Sequence, residues 1–145
     1  MTLKNLLGIS LDAVEPDKTQ IARLLAAAER NIADAQIAAV SAENRFDVSY
    51  KAIMQLALAA LNANGYRTLT SKPGHHQTAI QTLTTSVGLP AEDVIVLDAL
   101  RKQRNLSDYS GDTVSQQAVA ECLSSAVHLL AHVKDWLRRE RPELI

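Results

Sequence analysis

The 145-residue chain contains one cysteine, one phenylalanine and one tryptophan. With Cys122 alone, an intramolecular disulfide is excluded, and any zinc site would have to draw on other ligand types. Aromatic residues make up only 3% of the chain. That scarcity disfavours strands, which draw on aromatic and β-branched side chains. No run of about 18 or more apolar residues occurs, so no membrane-spanning helix is expected. Neither sign of charge prevails: 15 Lys and Arg face 16 Asp and Glu, a formal net charge of -1. A domain-wide basic footprint for nucleic acid is thereby excluded, and a local patch is not. The opening MTLKNLLGISLDAVEP is too acidic, and its apolar run too short, for a signal peptide. A cytoplasmic protein is expected.

What the chain has in abundance is 22 Ala and 20 Leu. Both residues lose little on entering a helix. At this length one domain is expected, with residues 1–15 as an N-terminal arm of a turn or two of helix. Pro16 and Asp17 mark a helix start, with Asp17 as its cap. From about Lys18 to Ala42, Ile21, Leu24, Leu25, Ala28, Ile32, Ala35 and Ala39 recur at helical spacing. Ser41 or Asn44 can cap the next helix, whose stripe is Phe46, Tyr50, Ile53, Met54, Ala57, Leu58 and Leu61 and which stops at Gly65. Residues 66–74 read as a loop. A third helix is expected from about His75 to Val87, with Gly88 as its stop. A fourth runs from Pro90 to about Leu106, and 109–112 forms a turn. The last runs from about Val114 to Arg139, with Val119, Leu123, Ala126, Leu130, Val133 and Leu137 along one seam. No glycine-rich phosphate loop, period-two run or internal repeat occurs. The expected fold is an all-α up-and-down bundle of four main helices plus a short extra helix. Its first two long helices form an antiparallel hairpin.

Several clusters carry candidate chemistry. Arg101, Arg104, Asn105, Asp108 and Tyr109 crowd the end of the fourth helix. Arg101 and Arg104 share a face with Leu97 and point toward the bundle or a partner. A guanidinium grips phosphate or carboxylate through parallel hydrogen bonds. The structural alternative is dipole complementation with a local Arg104–Asp108 pair. His75 and His76 open the third helix, one of them as a proton shuttle or a phosphate contact, or else as a helix-start residue whose ring hydrogen-bonds the backbone. His128 and His132 are one turn apart, a spacing that can bind zinc, but Leu129 stands where an H-E-x-x-H motif has its glutamate. A solvated polar face is the simpler account, and no metal or cofactor is expected. Cys122 reads as a small core residue. The run Arg138-Arg139-Glu140-Arg141 reads as a solvated helix end or as an edge for RNA.

Arg45-Phe46-Asp47-Val48-Ser49-Tyr50-Lys51-Ala52, Gly65-Tyr66-Arg67, Gly74-His75-His76-Gln77-Thr78-Ala79-Ile80 and Arg104-Asn105-Leu106-Ser107-Asp108-Tyr109-Ser110-Gly111 together resemble bacterial HEPN-domain proteins. The resemblance runs from about Leu3 to Leu137. It implies a helical bundle that pairs into a homodimer, with a link to toxin–antitoxin or defence systems and a nucleotidyltransferase as frequent partner. Active members of that superfamily are metal-independent ribonucleases. Their motif is an arginine, a polar residue and, after a short spacer, a histidine. Arg104 and Asn105 match its start, and Tyr109 occupies the histidine position. A tyrosine, with an unperturbed pKa near 10, is a poor base at neutral pH, while Arg104 can still stabilise charge on a phosphorane. The resemblance therefore implies Arg104 and Tyr109 as the catalytic pair. It also implies Arg101, Arg104, Asn105, Asp108, His75 and His76 as contacts to RNA or a nucleotide. A non-catalytic dimeric module that partners a nucleotidyltransferase or antitoxin is the alternative. A zinc hydrolase on His128 and His132 is the third.

Overall fold

In the computed structural model, which describes residues 2–111 and 113–145, Asp17 begins the first long element. Its carboxylate accepts from the backbone N–H groups of Thr19 and Gln20, at 2.9 and 3.2 Å, and caps α1 (Lys18–Ala35). The helix ends short of the expected Ala42. Gln36, Ile37 and Val40 donate instead to carbonyls three residues back, which tightens the chain into turns. Beyond Ala35 only the small Ala39 continues the stripe, and Ile37 is exposed. A helix held by tertiary packing has little to gain from another turn there.

Ser41 caps α2 (Ala42–Ala63), its Oγ accepting from the Asn44 N–H at 3.2 Å. Phe46, Tyr50, Ile53, Leu56, Leu61 and five alanines of α2 are all buried. A helix apolar around most of its circumference belongs at the centre of a fold. Here α1 and the last long helix, α6 (Gln116–Glu140), pack closely on α2, and α3 (His75–Gln81), α4 (Leu83–Val87) and α5 (Ala91–Ser110) touch it more lightly. Gly65 follows with φ +88°, a left-handed turn that a Cβ would strain.

Residues expected as arm and loop form a clasp. β1 (Leu11–Ala13) pairs antiparallel with β2 (Tyr66–Thr68), Leu11 opposite Thr68 and Ala13 opposite Tyr66. The helical turn expected in the arm is a 3-10 turn at Leu3–Leu6. Three-residue strands are too short to show an alternating pattern, so only pairing reveals them. Val14 N–H donates to Gly65 O, and Asp17 N–H donates to the Asn62 side chain, both at 2.9 Å. From the other end of the chain Arg141 donates to Ala63 O at 2.7 Å. Both ends of the chain thus close on the last turn of α2.

The expected third helix is two short ones, α3 (His75–Gln81) and α4 (Leu83–Val87). They meet at Thr82, whose hydroxyl donates toward Thr78 O and Ala79 O. A threonine bonding back to the preceding turn bends a helix. α5 (Ala91–Ser110) runs past the expected Leu106 and takes in the first two residues of the segment read as a turn, until Gly111 ends it with φ +71°; Asp112, the last residue of that segment, lies outside the described residues. α6 (Gln116–Glu140) is capped by Ser115 and buries Val119, Cys122, Ala126, Leu129, Val133 and Leu137. Leu123 and Leu130, expected on that seam, flank it as partly buried side chains. The chain is all-α in class, with α1, α2, α5 and α6 as its main helices. Among the described residues no helix is long and apolar enough to cross a membrane.

Candidate functional site

The first turn of α3 lies against the last turns of α5, and an open cleft of about 340 Å³ separates them. His75, His76, Arg101, Arg104, Asn105 and Tyr109 line it, with Gly74 and Gln77. Two clusters distant in sequence therefore share one surface. Asp108, the remaining expected residue, reaches the site by placing Oδ2 3.0 Å from Arg104 Nε.

The arginines point inward, as their position beside Leu97 implies. Arg101 Nε donates to Asp98 Oδ1 at 2.8 Å, and this bond holds the Asp98 carboxyl below its ordinary range. Lys102 approaches the other oxygen of Asp98 at 3.5 Å. Arg104 Nε is 3.3 Å from Asp47 Oδ1 on α2. Its guanidinium carbon stands 5.4 Å from the centroid of the Tyr50 ring, within cation–π range. The cations Arg101, Lys102 and Arg104 thus face the carboxylates Asp47, Asp98 and Asp108. Among these six groups formal charge cancels, three against three.

Tyr50 is the strut beneath this surface. It is 2% exposed, and its hydroxyl lies 3.3 Å from His76 Nδ1. Burial pushes the phenol up to about 12, so it keeps its proton at neutral pH. With the phenol donating, Nδ1 accepts and the neutral His76 ring carries its proton on Nε2. Burial lowers the His76 pKa, and the neighbouring His75, Arg104 and Arg101 lower it further. The His75 and His76 rings meet edge to face, centroids 4.7 Å apart. Tyr109 stands on the outer lip, 91% exposed.

Arg104 and His76 also bound a second cavity, of about 370 Å³, on the α2 side. Tyr50, Met54 and Leu58 supply its apolar wall, and Asp47, Lys51 and Gln55 its polar one. Asn31 Nδ2 donates to Gln55 Oε1 at 2.8 Å, which fixes the carboxamide with its own amino group unspent in that bond.

The other candidates go elsewhere. His128 Nε2 lies 3.4 Å from Asp93 Oδ2, whereas His132 Nε2 lies 2.7 Å from Val87 O. The pair is divided between two neighbours, and no group of three or more His, Cys, Asp or Glu among the described residues could hold a metal ion. Cys122 is fully buried in the core, and burial pushes its thiol up to about 12. In the basic tail Arg139 pairs with Asp135 and Glu140, as a solvated helix end would. Arg141 departs from that reading: it ties the tail to α2 and pairs with Glu143.

Asp47, Tyr50 and Asp98 complete the site without having been expected there. Asp98 stands three residues before Arg101 and four before Lys102, a spacing that signals helical ion pairs. Tyr50 fits the buried stripe of α2, and its polar tip has no signature in sequence. Compared with protein-family models, curated proteins and solved structures, the chain matches none.

Proposed function

We propose that the chain is a HEPN-like, RNA- or nucleotide-interacting protein that works as a cytoplasmic homodimer in a toxin–antitoxin or defence setting. One observation carries this reading: His75, His76, Arg101, Arg104, Asn105 and Tyr109 come from two separate segments and line one cleft. Arginine forks, an amide and imidazoles are the groups that hold phosphate oxygens. The exposed apolar residues Ile95, Leu106 and Tyr109 on α5 support self-association beside the cleft. Two copies meeting there would bring two Arg104 side chains around a shared anion.

In the catalytic form of this reading the ribose 2′-hydroxyl attacks phosphorus and the 5′-oxygen leaves. The hydroxyl proton passes to a base, and a second proton goes to the leaving oxygen. Arg104 stabilises the charge that builds on the phosphoryl oxygens. A phenol is a poor base beside an imidazole, so proton transfer falls to the histidines. His75 and His76 stand side by side on the cleft, and a pair of imidazoles, one neutral and one protonated, divides the base and acid roles. A slow ribonuclease is the expected result.

The test compares wild type with Arg104→Ala on structured and unstructured RNA at low salt, where phosphate-driven affinity is greatest. Expected are binding by the wild type, at least tenfold weaker binding by the variant, and loss of any cleavage. Equal cleavage by both removes the ribonuclease, and no binding by either removes the reading. Sedimentation at micromolar concentration tests the dimer.

The ion pairs of Arg104 with Asp47 and Asp108 favour a second reading, in which the arginine is spent on scaffold. The chain is then a non-catalytic dimeric module, with the α5 face given to a nucleotidyltransferase or antitoxin partner. Co-purification with the product of the adjacent gene, unaffected by Arg104→Ala, is its expected signature.

A further inference from the structure

The 370 Å³ cavity on the α2 side shares Arg104 and His76 with the anion cleft, and this juxtaposition defines what can fill it. An occupant of both spaces is anionic at one end and largely apolar at the other. We infer that the second cavity is a nucleobase subsite, selective for a keto base, which deepens the proposed function and rests on it.

Met54 and Leu58 offer a thioether and an isobutyl group, polarizable surfaces suited to the face of a flat ring. The volume lies in the range of small-molecule sites, which are mostly apolar with a few placed polar groups. Those polar groups are biased toward donors. Gln55 has its oxygen engaged by Asn31, so its amino group is what it offers a ligand. Lys51 adds an ammonium at the rim. Asp47 is turned to Arg104 Nε. A donor-rich wall favours bases that present a carbonyl oxygen: uracil, with two, and guanine, with O6 beside the ring acceptor N7. Adenine places an amino group where guanine places O6, which sets donor against donor and disfavours it. Arg104, between the two spaces, would hold the phosphate that follows the base.

Calorimetry on the full chain distinguishes the terms, using inorganic phosphate, uridine, uridine 5′-monophosphate and adenosine 5′-monophosphate. A short oligoribonucleotide ending in uridine or adenosine separates an RNA end from a free nucleotide. Uridine 5′-monophosphate or the uridine-ended oligonucleotide is expected to bind at least tenfold tighter than phosphate and than its adenosine counterpart. Gln55→Leu, checked for folding by its thermal melt, is expected to erase the preference for uridine. Phosphate and RNA binding that depends on Arg104 yet gains nothing from the base overturns the subsite and leaves the anion cleft standing. A uridine preference that survives Gln55→Leu overturns the role given to the carboxamide wall, and the inference with it. Uridine binding without any phosphate binding overturns the anion reading, and no binding of any probe removes both.

Discussion

Replacing both Asp47 and Asp108 by asparagine should tighten RNA binding while leaving the fold nearly as stable. The carboxylates lie 3.3 and 3.0 Å from Arg104 Nε. A phosphate taken by the far edge of the guanidinium would sit about 6 Å from each, where unit charges repel by about 0.7 kcal/mol in water and about 3 kcal/mol at an effective dielectric of 20. Both side chains are nearly half exposed, at 48% and 43%, so the watery end of that range governs. About 1 kcal/mol for each carboxylate, roughly 2 kcal/mol together, corresponds to a dissociation constant lower by roughly 30-fold. The lost ion pairs contribute less than about 1 kcal/mol each to folding, as exposed pairs do. Fluorescence anisotropy of a labelled oligoribonucleotide at low salt measures the first effect, and a thermal melt the second. Unchanged or weaker RNA binding by a folded double variant would refute the electrostatic reasoning, because the carboxylates would then be positioning Arg104 rather than competing with its ligand.

Tyr50→Phe should cost about 1 kcal/mol in stability. It should also release the His76 tautomer, seen as a shift of the ring nitrogen resonances toward a mixed population; unchanged resonances would discount the strut. His76 binds its proton less readily in the folded chain than in the unfolded one. Stability should therefore fall as pH drops below the ordinary histidine value toward the lowered one, since the unfolded chain takes up the proton first. His76→Gln should flatten that part of the melting-temperature profile, and an equally steep profile would count against it. Leu56 is fully buried in α2, so Leu56→Ala should cost about 2–5 kcal/mol and lower the melting temperature by about 10 °C. A loss under 1 kcal/mol by denaturant titration would show that α2 is not the packing centre.

The legible parts of the fold were those set by local chemistry. Asp17 and Ser41 satisfy the first amides of their helices, and Gly65, Gly88 and Gly111 take the left-handed conformation that ends theirs. The parts that escaped depend on contacts between distant residues or on local choices that residue type leaves open. The end of α1 follows from what its last turn would bury, and the break at Thr82 from a hydroxyl choosing backbone acceptors. β1 and β2 exist only as a pair. The length of α5 was set by Gly111 rather than by its apolar stripe, which fades after Leu100. At the site, the Arg101–Tyr109 run and His75–His76 were visible as clusters, because charge and titratable groups are properties of residue type. Their meeting depends on how α3 docks against α5. The contacts of Arg104 with Asp47 and Tyr50 bridge more than fifty positions, which no spacing rule encodes.

The closing of residues 14, 17 and 141 on the last turn of α2 has a practical side. From Tyr50 to Asn62 the helix rises about 18 Å, so that anchorage and the strut stand toward opposite ends of one rod. Cutting the chain after Asp17 would remove two of those anchors from the central rod.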